Sequence, residues 1–176
     1  MIIKDVRVDW LFVYEAGKQG KYGCTILLPK GSSQEKQVKE AIEKAIIAGV
    51  SANKFTAAQT KSATFKGCLR DGDAEIETEG RPVHYKGTSF INCSNANQPG
   101  MVDEKLQPIM SSDKLYSGCY CNCDVNITGF YHKESGSRGI GAYLQNIMFV
   151  RDGERLDGRQ APEEAFEGLQ VQDELQ

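Results

Sequence analysis

No apolar run in this chain approaches the roughly 20 residues that a membrane-spanning helix needs. The longest candidate, residues 41–50, is interrupted by Glu43 and Lys44. The first ten residues, MIIKDVRVDW, carry acids where a secretory signal would be apolar. Both absences predict a soluble, cytosolic-type protein with no membrane partner. Histidine is scarce, with only His84 and His132, and tryptophan scarcer, with Trp10 alone. No Ser/His/Asp or Cys/His nucleophile set stands out. The glycine-rich stretch at residues 136–141 lacks the lysine of a phosphate-cradling loop and lies in a predicted hairpin. The sequence therefore predicts no cofactor and no catalytic residues.

Cations are missing from one end. Residues 161–176 (APEEAFEGLQVQDELQ) hold five acids, Glu163, Glu164, Glu167, Asp173 and Glu174, one aromatic, Phe166, and no lysine or arginine. The chain is formally −3, from 21 Lys+Arg against 24 Asp+Glu. Setting the tail aside leaves 21 cations against 19 acids on residues 1–160, about +2. A near-neutral to basic body with an acidic, poorly hydrophobic tail suits a protein whose body binds a polyanion, the tail competing for the site or recruiting partners. A solvated, frayed terminus has the same composition. Residues 1–160 are expected to form one domain and 161–176 a flexible extension.

What is plentiful is strand-forming. The chain has 18 glycines, seven Tyr, seven Phe and six cysteines. Period-2 alternation predicts strands over residues 5–14, with Val6, Val8, Trp10, Phe12 and Tyr14 on one face, and over 22–28, 85–93, 114–131 and 139–151. Residues 132–138 read as the hairpin between the last two. One amphipathic helix is predicted over residues 34–48, capped by Ser32 or Ser33. Residues 70–73 (Arg70-Asp71-Gly72-Asp73) read as a turn and 95–107 as a loop. The tally is a mainly β chain: a five-stranded OB-fold-like barrel with one interposed amphipathic helix, long loops and an acidic tail.

Cys119, Cys121 and Cys123 fall on one face of a strand. Their spacing does not match the C-x₂₋₄-C knuckle of structural zinc, so these thiols are expected to fill the inner face of a barrel strand, with no metal. With no export signal, all six cysteines are expected to be reduced.

Four ordered pieces, KYGCTILLPK (21–30), LRDGD (69–73), YKGTSFIN (85–92) and DKLYSGCYCNCDVNITGFY (113–131) with its continuation to Arg159, resemble the OB-fold single-stranded DNA-binding proteins of tailed bacteriophages. This is the family related to the replication single-strand binders of short-tailed phages. The resemblance implies an OB-fold and sequence-tolerant binding of single-stranded DNA in phage replication, recombination or repair, in the host cytoplasm. It also implies a tail that touches replication proteins such as a polymerase or helicase/primase, and leaves room for a homodimer. Some relatives end on an aromatic, whereas here Phe166 lies ten residues from the terminus.

Single-strand binding needs cations along the phosphates and exposed ring faces for the bases. Tyr22, Tyr85, Tyr116 and Tyr120 are the expected stacking residues. Lys18, Lys21, Lys30, Lys86, Lys133 and Arg138 are the expected phosphate contacts. Trp10, Phe12, Phe90 and Phe149, among aliphatic neighbours, are expected in the core. Asp71, Asp73 and Asp103 define a rival reading, a metal-dependent nuclease or nuclease accessory. Against it, Asp-Gly-Asp is a common turn, and Arg70 is expected to pair a carboxylate there or touch DNA. A third reading is a non-catalytic virion or assembly module.

Overall fold

The computed structural model describes residues 1–158. Its elements in chain order are β1 (Ile2–Phe12), β2 (Tyr22–Pro29), α1 (Ser33–Ser51), β3 (Leu69–Asp71), α2 (Gly72–Glu79), β4 (Thr88–Asn95), β5 (Gly100–Val102), β6 (Tyr120–Tyr131) and β7 (Arg138–Arg151). The strands bond in the order β3-β4-β2-β1-β6-β7-β5. A parallel pairing of β4 with β7 at Cys93 and Ala142 joins the ends of the long strands. Five strands, β1, β2, β4, β7 and β6, thus close into a barrel as expected, with β3 and β5 as short additions to β4 and β7. Among the described residues no helix is long and apolar enough to cross a membrane.

The barrel interior is filled by the inward set of each strand. Ile26 and Leu28 of β2, Ile91 and Cys93 of β4, Cys121, Cys123 and Val125 of β6, and Leu144 and Ile147 of β7 are buried together. All six cysteines are free and buried, with Cys119 and Cys121 sulfurs 3.5 Å apart. Burial pushes the Cys68 thiol up to about 11. A thiol so desolvated is an inert packing group.

β1 departs from simple alternation. The inward residues of β1 and of the residue after it are Ile3, then Val6 and Val8, then Val13, so parity changes twice. Each change coincides with a residue in the left-handed region, Asp5 at φ 48° and Trp10 at φ 47°. Each also coincides with a register shift, against β6 between Ile3 and Val6 and against β2 between Asp9 and Phe12. These are bulges, in which an extra residue flips the faces that follow. The second turns Trp10 and Phe12 outward, 52 % and 44 % exposed. Their expected core placement is thereby corrected.

Helix α1 lies where its period places it. Ser32 caps it by accepting from Glu35 N, and Val38 and Ala45 are buried, with Ile42 and Ile46 packed beside them. Glu35, in the first turn, is itself held by three partners. It accepts from Gly31 N at 2.9 Å and Ser89 Oγ at 2.7 Å and pairs with Lys39 at 3.0 Å. The amide of Gly31, then Ser89 and Lys39, hold its carboxyl down at about 2. A carboxylate depressed in the folded state stabilises above its unfolded pKa and loses that contribution as pH falls through the folded value. Glu35→Gln is therefore expected to cost roughly 2 kcal/mol at neutral pH. In denaturant titrations the gap from wild type should close as pH drops from about 5 towards 2.

Several elements differ from expectation: β3 takes Arg70 and Asp71 from the expected turn, β4 begins at Thr88 rather than residue 85, and β5 lies within the expected loop 95–107. Residues 72–79, the first two of them read as part of a turn, form α2: Asp71 caps it by accepting from Asp73 N and Ala74 N, and Gly80 ends it at φ 65°. The fourth long strand begins at Tyr120 rather than residue 114, because Gly118 adopts φ 116° against the backbone of Glu154.

Candidate nucleic-acid interface

The outer surface of β2 and β4 is divided in two. One half is covered: α2 and the 3₁₀ turn Val83–Tyr85 lay a second small core over it, made of Leu27, Tyr85 and Phe90 with Ile76 and Leu156 at the edge. The other half, around Gly23, Thr25, Asn92 and Ser94, is open and floors a hollow of about 460 Å³. Gly23 cannot carry a side chain, since a Cβ there would lie 2.1 Å from Cys93 O.

Trp10 and Phe12 stand at the border of this hollow and of a second one, about 540 Å³, on their other side. The two rings form a ridge between hollows. Lys18, Lys21, Tyr22 and Arg81 line the first; His84, Tyr116, Ser117 and Arg155 line the second. Lys18 and Lys21 are exposed on the β1–β2 loop. Gly17 N donates to Lys21 O at 2.9 Å, which tightens that loop.

Trp10 is fixed from behind. Asp9, only 4 % exposed, accepts from Trp10 N on Oδ1 at 2.7 Å. Its Oδ2 takes the Tyr85 hydroxyl at 3.0 Å and faces His84 Nε2 at 2.9 Å. A buried carboxylate needs such partners, and here they lock the strained backbone that presents the indole.

Only part of the expected site lies on the ridge. Tyr22 does, with Lys18 and Lys21. Tyr85 is fully buried; its ring meets Phe90 edge-on at 5.0 Å, and burial beside Asp9 raises its pKa. It offers no face to a base. Tyr116 is 9 % exposed, its hydroxyl donating to Asp152 at 2.8 Å and its ring lying under Arg155 at 4.3 Å. Tyr120 points outward but Arg151 covers it at 3.5 Å. Lys30 is clamped between Asp71 and Asp73 at 2.6 and 2.7 Å, whose hydrogen bonds raise its pKa. Lys86 is exposed near Asp73 and lines neither hollow. Lys133 and Arg138 belong to the β6–β7 hairpin. The tail residues Glu163, Glu164, Phe166, Glu167, Asp173 and Glu174 lie outside the described residues.

The Arg70–Asp73 motif is architectural. Arg70 pairs with Glu75 and Glu79 and lies 5.4 Å over Phe90. Gly72 is packed where a Cβ would fall 2.3 Å from Tyr85 O. Asp73 accepts from Gly87 N at 2.9 Å. An ammonium thus occupies the space between the two aspartates, while Asp103 accepts from Lys105 N and Gln107 N in another loop. The three acids of the nuclease reading are not brought together.

A family model described as "Enterobacter phage Enc34, ssDNA-binding protein" matches residues 1–176. The chain belongs to that family. A solved structure of the single-stranded DNA-binding protein from bacteriophage Enc34 superposes with a TM-score of 0.71 at 20 % identity, covering 94 % of this chain and 88 % of that one. The same protein in complex with ssDNA gives a TM-score of 0.69 at 20 % identity, over 88 % of each chain. The gp2.5 single-stranded DNA-binding protein of bacteriophage T7 gives 0.60 at 10 % identity, over 98 % of this chain and 93 % of that one. In sequence, "Putative protein p50" of Acyrthosiphon pisum secondary endosymbiont phage 1 is 35 % identical over 109 residues, 61 % of this chain. The match spans about half of that relative, 55 %. Like the Enc34 and T7 proteins, this family member has a mainly β barrel fold.

Sequence reasoning missed Trp10, Phe12, Arg81, His84 and Arg155. For the first two the sequence shows only that alternation stops, residues 10–13 (WLFV) all being apolar.

Proposed function

We propose that this Enc34-family protein binds single-stranded DNA without sequence preference, non-catalytically, in phage replication, recombination or repair in the host cytoplasm. The Trp10–Phe12 ridge carries the reading: two exposed rings, with Tyr22 beside them, bordered by Lys18 and Lys21. Bases stack on the rings and phosphates run past the cations. Stacking tolerates any base because every base has a π-face. Arg155 and Asp157, among the last described residues, line the second hollow. The last described residues therefore lie beside the ridge, and the five acids that follow them in the sequence can compete with DNA. Displaced from the groove, the same segment is free to recruit a replication polymerase or helicase/primase.

Titration of oligo(dT) at two salt concentrations tests this. Binding should weaken steeply with salt, through counterion release, and removal of residues 161–176 should tighten it at low salt. Salt-insensitive binding would refute the phosphate component, and unchanged affinity after truncation would refute the competing tail.

A further inference from the structure

Between Glu43 and Asp71 the sequence has no acid, but it has Lys44, Lys54, Lys61, Lys66 and Arg70. The middle of this stretch is pinned beside the β6–β7 hairpin. Lys66 N donates to Arg138 O at 3.1 Å and Ile140 N donates to Lys66 O at 2.8 Å. Gly139 permits the approach, since a Cβ there would sit 2.2 Å from Lys66 O. Phe55 is buried and meets Phe65 edge-on at 5.0 Å. Lys54 is consumed by this anchoring, donating to Gly129 O at 2.6 Å.

Arg70 is taken up by Glu75 and Glu79, but three lysines of the segment and the hairpin are not consumed. Lys61, Lys66 and Lys133 are exposed and have no acidic partner among the described residues. Arg138 lies 5.0 Å from the centre of the Tyr131 ring, itself 41 % exposed. Glu134 is the only acid of the hairpin. Unpaired lysines on segments joined to Arg138, whose guanidinium lies against an exposed ring, repeat the ingredients of the ridge.

In barrels of this class the strand-2–3 face is flanked by the loops after the first and fourth barrel strands. Here those are residues 13–21, with Lys18 and Lys21, and 132–137, with Lys133. We propose that the Lys61–Lys66 segment, zipped to the second loop, lengthens the strand path: phosphates leaving the open face pass the hairpin and continue onto Lys61 and Lys66. The occupant is the same single strand, because Lys66 is bonded to the β6–β7 hairpin, which the barrel's topology makes the second loop flanking that face. This rests on the strand-binding reading above.

The test compares Lys61→Ala/Lys66→Ala with wild type and Trp10→Ala, on oligo(dT) of about 4 and about 16 nucleotides, the range one such barrel covers. Losing two phosphate contacts should lower the salt slope for the long strand by about 1.4, at roughly 0.7 per phosphate, and weaken its binding several-fold. The short strand should be unaffected, and Lys61→Arg/Lys66→Arg should restore the slope. An unchanged long-strand slope, with Trp10→Ala still weakening the short strand, overturns the extended path alone. A Trp10→Ala variant that binds the short strand normally overturns the ridge and this extension with it. A loss confined to duplex DNA would assign the patch to another ligand and also refute the proposal.

Discussion

Trp10→Ala should weaken oligo(dT) binding by about 1–3 kcal/mol, roughly 5–150-fold, and Phe12→Ala should add a further loss of the same order. The size follows from position. Both rings are about half exposed, yet they border both hollows of the face. A base stacking there shields an apolar surface that the free protein leaves in water. Stability should change little, because neither side chain fills the core. Tyr85→Phe and Tyr120→Ala are the informative comparisons. The first ring is buried and reaches the ridge only through its hydroxyl on Asp9, and the second already lies under Arg151, so each should change affinity less than Trp10→Ala. Fluorescence anisotropy at one salt concentration separates these outcomes. If Tyr85 or Tyr120 mattered more than Trp10, the ridge would be the wrong surface.

Asp9→Ala should damage fold and function together. Asp9 is buried and gathers three partners, the amide of Trp10, the hydroxyl of Tyr85 and the ring of His84. Removing one member of a buried charged network leaves the others unsatisfied, at a cost of about 3 kcal/mol. For a domain of this length that is a fall in Tm of roughly 6–12 °C. Affinity should fall too, because the left-handed backbone at Trp10 loses the acceptor that holds it. Asp9→Asn, which keeps an acceptor oxygen, should lose less of both. Calorimetry together with DNA titration reads the two effects, and a variant with unchanged Tm would show that the network does not hold the bulge.

Much of the barrel is legible in the chain. Alternation along residues 22–28 and 139–151 places those strands nearly where they occur, and the spacing of Val38, Ile42 and Ala45 marks α1. The three thiols at 119–123 fill the interior, as their alternation requires. The site was harder to read because it depends on breaks in the pattern. A bulge reverses the meaning of parity, so Trp10 and Phe12 look like continuations of Val6 and Val8 while facing the other way. Tyr85 and Lys30 misled for the opposite reason. Their partners, Asp9 for one and Asp71 with Asp73 for the other, come from distant segments. Helix α2 carried a readable signal, an aspartate cap at 71 and a glycine stop at 80, hidden by its resemblance to a turn.

Trp10 is the only tryptophan, so its emission reports on the ridge without labelling. Titration of the full chain with oligo(dT) should quench that emission saturably, with the same midpoint as binding followed on labelled DNA. Binding seen on the DNA with indole fluorescence unmoved would place the strand elsewhere on the barrel and contradict the account.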